Sequence, residues 1–327
     1  MRILSTRSAL IPAALLGLLA LLLTACAGAT VAGKGSAATL VSAPSSGSTA
    51  APTAPATSPS STPTPTPAAL PVHVTSLESD GLTYGVGMPI VFYFDNKITD
   101  AAAFVKAAKV TVNGADPGGA WFFEVSARAG QQIEAHYRPQ NYWPAHANIH
   151  VAAPVHGLSG GSGFVFGNDL TLDFATGAAH ILAVDGATHR MTITTDGVLY
   201  GTFPVSLGAP TSQTMLGINV ISQRDRNTRM VGSGYDEIVP WSMRITASGE
   251  YLHAAPWNVA NIGSRSTSKG CTNLLPADAE KLYNYLQVGD PVSYTNTGST
   301  TVAPVNDGYG DWNAPWGSWL LGGVLQT

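Results

Sequence analysis

Two residues suited to covalent catalysis stand eighteen positions apart, His253 and Cys271. Cys271 lies in a small, polar run, Ser268-Lys269-Gly270-Cys271-Thr272-Asn273, of the kind that displays a side chain rather than burying it. A free thiol titrates well above neutrality, so it needs a nearby base or cation to supply thiolate, and a histidine brought back by a loop is the usual source. The competing reading is an inert buried cysteine beside a satisfied core histidine. Cleaving an amide this way takes a nucleophile, a proton carrier and donors for the oxyanion. Cys271 would attack and His253 would carry the proton. The backbone amides of Gly270 and Cys271 are the natural oxyanion donors, since a glycine lets the chain approach a substrate closely.

These residues resemble the L,D-transpeptidase family, in which a histidine is followed, after a loop of this length, by Ser/Thr-His-Gly-Cys-hydrophobic-Asn. Ser268, Gly270, Cys271, Asn273 and the upstream His253 agree with that pattern, whereas Lys269 replaces its second histidine and Thr272 takes its apolar position. The flanks H-A-A-P-W (253–257), L-L-P-A-D-A-E-K-L-Y (274–283) and G-D-W-N-A-P-W (310–316) resemble the mycobacterial type. The resemblance implies an acyltransferase that cross-links peptidoglycan. Cys271 would take up the carbonyl of a tetrapeptide stem as a thioester, expel D-alanine, and pass the acyl group to an amine on a neighbouring stem as a 3→3 bridge. Carbapenems would trap the thiol, and no cofactor is implied.

The same resemblance assigns supporting roles. Ala254 would steady the His253 ring through its backbone carbonyl, and Tyr235 would add a phenol donor unless it is an ordinary strand tyrosine. Asn273 would pin the loop or a substrate carbonyl, Ser268 would line the substrate site, and Trp257 would wall the cleft or simply pack. Lys269 would lower the thiol pKa by favouring the anion, but could not copy a substrate role of the missing histidine. The run 211–234 would form a lid, with Arg224, Arg226 and Arg229 meeting substrate carboxylates or staying solvated. Water in place of the acceptor would make the protein an L,D-carboxypeptidase; loss of activity would leave a wall-binding lipoprotein.

Elements that must position this site come after an export region. Arg2 and Arg7 precede an apolar run over 9–23, short for a permanent membrane span, which ends in Leu23-Thr24-Ala25-Cys26. That ending resembles a lipobox, so 1–26 reads as a lipoprotein signal with lipidation at Cys26, anchoring an exported chain to the outer face of the membrane. A plain secretory signal or an uncleaved anchor is the alternative. With Cys26 lipidated, Cys271 has no disulfide partner. Residues 27–70 are almost wholly Ala, Gly, Ser, Thr, Pro and Val, too poor in apolar surface to fold, and form a disordered spacer.

The rest is long enough for two cores. Alternating apolar runs at 89–94, 109–112, 121–125 and 169–174, separated by turn formers, predict an antiparallel β-sandwich over 71–176, with one short helix over 101–108. By resemblance this unit is immunoglobulin-like. The catalytic unit, 177–297, is also β-rich: apolar runs over 179–184, at Met191 and Ile193, and over 198–204 flank Asp196-Gly197, a favoured hairpin turn. Leu275, Ala279, Leu282 and Leu286 then share one helical face, with Pro276 at its start and Gly289 as its stop. The tail, 298–327, carries Trp312, Trp316 and Trp319 and is expected to fold back onto the catalytic unit.

At 11% charged residues and a formal net charge of −4, the chain offers no basic stripe for nucleic acid. The other histidines show no zinc-like spacing with cysteines or each other, so no metal is expected. A sortase would need an arginine after the cysteine, and none follows Cys271; papain-like enzymes place the cysteine before the histidine.

Overall fold

The computed structural model describes residues 67–232 and 234–325. The export run, the lipidation site at Cys26 and nearly all of the 27–70 spacer lie outside the described residues. No described helix is long and apolar enough to cross a membrane.

The first domain comprises β1 (Leu70–Val72), β2 (Val74–Ser76), β3 (Thr83–Tyr84), β4 (Ile90–Phe94), helix α1 (Ala102–Ala107), β5 (Lys109–Val112), β6 (Ala120–Val125), β7 (Ile133–Arg138), β8 (Asn148–Ala153), β9 (Phe164–Phe166) and β10 (Leu170–Thr176). Two four-stranded sheets, ordered β2-β4-β7-β6 and β3-β10-β8-β5, enclose the core, and β1 pairs with β9. Phe104 of α1 sits between them, its ring 5.1–6.3 Å from those of Phe92, Phe94, Trp121, Phe123 and Phe166. Every residue of β4 and β7 is buried. A strand hidden on both faces means that something covers the outer side of its sheet.

The second domain comprises β11 (His180–Asp185), β12 (Arg190–Thr195), β13 (Val198–Ser206), β14 (Gly217–Val220), β15 (Gln223–Gly232), β16 (Tyr235–Arg244), β17 (Tyr251–Ala254), β18 (Thr272–Leu274), helix α2 (Pro276–Tyr285) and β19 (Pro291–Thr295). One nine-stranded sheet runs β14-β19-β11-β12-β13-β18-β17-β16-β15. The Asp196-Gly197 turn joins β12 to β13, with φ of 49° and 81° at its two residues, the left-handed pair a tight hairpin requires. Helix α2 begins at Pro276, buries Ala279 and Leu282, and packs against β16 and β17.

Gly289, expected to stop this helix, lies beyond its end. It serves instead where the two domains cross. Gly85 donates to Val288 O at 2.7 Å and Gly87 to Gly289 O at 2.8 Å, and a Cβ on Gly85 would stand 2.2 Å from the Asp290 nitrogen. Backbone approaches this close exclude any side chain.

The expectation that the tail's tryptophans pack on the catalytic unit needs correction. The tail crosses to the first domain and supplies the missing cover of the β4–β7–β6 sheet. Trp319, the last residue of α3 (Trp316–Trp319), stacks on Phe122 at 4.8 Å and donates to Ala120 O, and Trp312 donates to Gly87 O. The Phe123 amide donates to Gly322 O and Val324 to Phe123 O, which adds the tail to the β6 edge. Arg138 lies 4.9, 5.3 and 4.4 Å from the rings of Trp312, Trp316 and Trp319. An outward-facing guanidinium with apolar neighbours is what the rings pack on. The tail also keeps contact with the second domain: Leu216 donates to Thr301 O at 2.8 Å and bridges Val302, Asp307 accepts from Ser248, and Asn313 bonds Ile218 on both its N–H and C=O.

Candidate active site

The gap between His253 and Cys271 has a structural cause. Strands β17 and β18 are parallel neighbours, with His253 opposite Asn273 and Leu252 opposite Thr272, and parallel strands need a crossover of a dozen or more residues. That crossover returns the chain so that Cys271, just ahead of β18, stands level with Tyr251 at the start of β17. Both side chains, with Asn273, line one solvent-open cavity of about 280 Å³. Internal hydrogen bonds stiffen the crossover: Asn258 donates to Ser206 Oγ and accepts from Thr267 and Asn261.

Gly270 has φ of 114° and a Cβ there would lie 3.3 Å from Glu250 Oε1, so glycine alone suits this bend. Its carbonyl accepts from Thr214 Oγ1 at 2.7 Å, and its amide donates to Ser268 Oγ at 3.2 Å. Ser268 Oγ in turn donates to Cys271 O at 2.5 Å. One expectation changes as a result: the Gly270 amide is engaged within the loop rather than offered to an oxyanion. Ser268 lines the cavity as expected, and its hydroxyl also shapes the loop.

His253 is 4% exposed and its Nδ1 is 2.8 Å from Ala254 O. A carbonyl can only accept, so Nδ1 carries the proton and Nε2 keeps its lone pair. This is the backbone role expected of Ala254. Burial pulls the imidazole down to about 4, only partly opposed by the Ala254 carbonyl. Burial pushes the Cys271 thiol up to about 11; the Tyr251 backbone opposes this and Glu250 adds to it. At rest, therefore, both the thiol and the imidazole that line this cavity are neutral. Lys269 does not supply thiolate as expected: its ammonium sits 4.1 Å from the centre of the Tyr235 ring, where the π face attracts it.

Glu250 is buried, accepts the Met215 amide at 3.0 Å, and is itself raised to about 7, chiefly by burial. Its anion opposes the thiolate. Glu250→Gln keeps an oxygen for Met215 and removes that charge, so iodoacetamide should label Cys271 several-fold faster at about pH 9. An unchanged labelling rate, followed by mass spectrometry, would count against this coupling.

Trp257 is 57% exposed, with its ring 6.0 Å from that of His253, and it walls the cavity with Tyr235 and Lys269. Buried Asn273 has an Oδ1 without a hydrogen-bond partner among the described residues. The expected lid is a β-hairpin of β15 and β16 rather than a loop over 211–234. Its arginines are engaged elsewhere: Arg224 donates to Tyr283 O and lies over that ring, Arg226 lies over Trp241, and Arg229 makes a two-pronged pair with Asp236. Met230, Glu237 and Val239 line the cavity and were missed. Their signal was available, since Tyr235, Glu237 and Val239 alternate along one strand face, with Met230 opposite Glu237.

The chain is thus a β-sandwich followed by a β-rich unit that brings a histidine and a cysteine into one cleft. Residues 179–293 match the L,D-transpeptidase catalytic domain family and 41–159 a bacterial Ig domain family. L,D-transpeptidase 2 of Mycobacterium tuberculosis (strain CDC 1551 / Oshkosh) is 32% identical over 265 residues, which are 77% of this chain and 63% of that protein. The chain thus spans under two thirds of that relative's length. A crystal structure of an L,D-transpeptidase from Mycobacterium tuberculosis H37Rv is 30% identical with a TM-score of 0.56, covering 70% of this chain and 100% of that one. The LD transpeptidase LdtMt1 in complex with imipenem is 26% identical with a TM-score of 0.57, covering 71% and 100%. The chain belongs to the L,D-transpeptidase family.

Proposed function

We propose that this protein cross-links peptidoglycan stem peptides through a thioester on Cys271. The observation that carries this reading is that His253, Cys271 and the unpartnered Asn273 Oδ1 line a single open cavity, in a chain whose relatives are L,D-transpeptidases.

Attack begins from the neutral pair. The thiol proton passes to His253 Nε2 as sulfur bonds the carbonyl carbon of the stem's diamino acid. The Cys271 amide and the Tyr235 phenol stabilise the oxyanion. As the tetrahedral centre collapses, its C–N bond breaks and Nε2 returns the proton to the departing D-alanine amine. An amine of a second stem then attacks the thioester, the C–S bond breaks, and the thiol is restored, leaving a 3→3 bridge. Asn273 receives an amide N–H of the donor stem, and Trp257 covers its flank.

Export and lipid anchoring through Cys26 would hold the domain at the outer membrane face, with the spacer reaching the wall. Imipenem, bound by a relative, would acylate Cys271 here. Incubating the protein with tetrapeptide stems tests the proposal by product mass: dimer with release of D-alanine supports it, tripeptide alone means an L,D-carboxypeptidase, and no product with no carbapenem adduct means a decayed wall-binding protein.

Adduct formation also has a predictable pH dependence. The base must be neutral, and its pKa is lowered to about 4, so the rate should hold through the usual histidine range near pH 6.5 and fall only toward about pH 4. A rate halved near pH 6.5, measured by stopped-flow quenching and mass spectrometry, would contradict the neutral buried imidazole.

A further inference from the structure

Far along the chain from the cysteine, three side chains of the first domain converge on one point. Glu134 and His136 are two residues apart on β7 and so share a face, while Glu124 of β6 is paired directly across from Glu134. His136 Nε2 is 3.6 Å from Glu124 Oε1 and 3.6 Å from Glu134 Oε1. One imidazole nitrogen and one oxygen from each carboxylate all lie within 4.8 Å of one another, and all three residues are buried.

We propose that His136, Glu124 and Glu134 bind a divalent cation of the zinc class. The His136 side chain is 3% exposed, yet neither its Nε2 nor Glu124 Oε1 has a hydrogen-bond partner among the described residues. Separations of 3.6 Å are long for hydrogen bonds. They suit the edges of a coordination shell, because metal bonds of about 2.0–2.1 Å in a tetrahedron set donors about 3.4 Å apart.

Orientation favours the same reading. Asp311 Oδ1 is 2.7 Å from His136 Nδ1, so Nδ1 donates its proton there and Nε2 is turned inward, the carboxylate–histidine arrangement that holds metal-binding imidazoles. Ser126 Oγ donates to Glu134 Oε2 at 2.8 Å, leaving Oε1 for the ion. Glu78, Glu124, Glu134 and Asp311 are all buried here; Arg138 is buried near them, and Arg128 and Arg244 line the adjoining cavity. A route in exists, since Glu134 and His136 line a cavity of about 520 Å³. An imidazole and two carboxylates favour a borderline ion over magnesium or calcium.

Sequence spacing misses such a site, because its donors come from adjoining strands. Its effect would be structural: Asp311 is the tail residue just before Trp312, which donates to Gly87 O, and Asn313, which bonds Ile218, so an ion on His136 would fix the tail. This stands apart from the transpeptidase reading.

The test uses the full chain carrying Cys271→Ala, which removes the thiol as a competing ligand. Zn²⁺ is added, excess is removed by gel filtration, and retained metal and Tm are measured. About one ion per chain and a Tm that rises with Zn²⁺ concentration are expected. Glu124→Gln and His136→Gln should lose both while still unfolding cooperatively. A parent chain that retains no Zn²⁺, or variants that retain it equally, overturns the proposal, as does anomalous scattering from zinc-grown crystals that places the ion elsewhere.

Discussion

Replacing Cys271 with alanine is expected to abolish both cross-linked product and the carbapenem adduct, and Cys271→Ser to lower turnover by at least about 10⁴-fold. Serine keeps the shape, but its hydroxyl is less acidic than a thiol already raised to about 11. His253→Ala should slow acylation by about 10²–10⁴-fold near neutrality, because neither partner of the resting pair is charged and sulfur cannot lose its proton alone. Toward about pH 11 the His253→Ala variant should recover, since hydroxide then supplies the thiolate. No recovery toward high pH would contradict the role of His253 as the group that takes the thiol proton. Rates of adduct formation by intact mass, compared at about pH 7 and about pH 11, measure the recovery.

Arg138→Ala is expected to be the most damaging change outside the cleft, at about 3–5 kcal/mol of stability. It removes a buried guanidinium that lies against three tryptophan rings and donates to Ala314 O at 2.8 Å. It also takes positive charge from Asp311 and its neighbours, leaving buried carboxylates less compensated. Lysine should rescue only part of this, since a point charge cannot spread over several ring faces. Urea unfolding midpoints and limited proteolysis of the tail measure the effect. A midpoint for Arg138→Ala within about 0.5 kcal/mol of the parent would mean that the tryptophans hold the tail unaided.

Local chemistry was readable from the chain. Asp196-Gly197 demanded left-handed backbone and made its hairpin. The spacing of Leu275, Ala279, Leu282 and Leu286 traced a helix beside the nucleophile. His253 and Cys271 fell into one cavity, as their types and order suggested. Long-range partners were not readable. Nothing near Ser268 in sequence says that its hydroxyl closes on Cys271 O, nor that Lys269 finds the Tyr235 ring across the sheet. The tail's seat was hidden for the same reason. Its signal lay in β7, where Glu134, His136 and Arg138 alternate with Ile133, Ala135 and Tyr137, a pattern that reads as a solvated outer face until Trp312, Asp311 and Trp319 cover it.

The route of that tail sets a limit on how the protein can be divided. After β19 the polypeptide goes back over the first domain and ends hydrogen-bonded to the edge of β6, while Gly85 and Gly289 interlock between the two. A catalytic half grafted onto a foreign sandwich would bring three tryptophans with no surface to receive them. Inheritance by shuffling would therefore have to move both halves and the tail together.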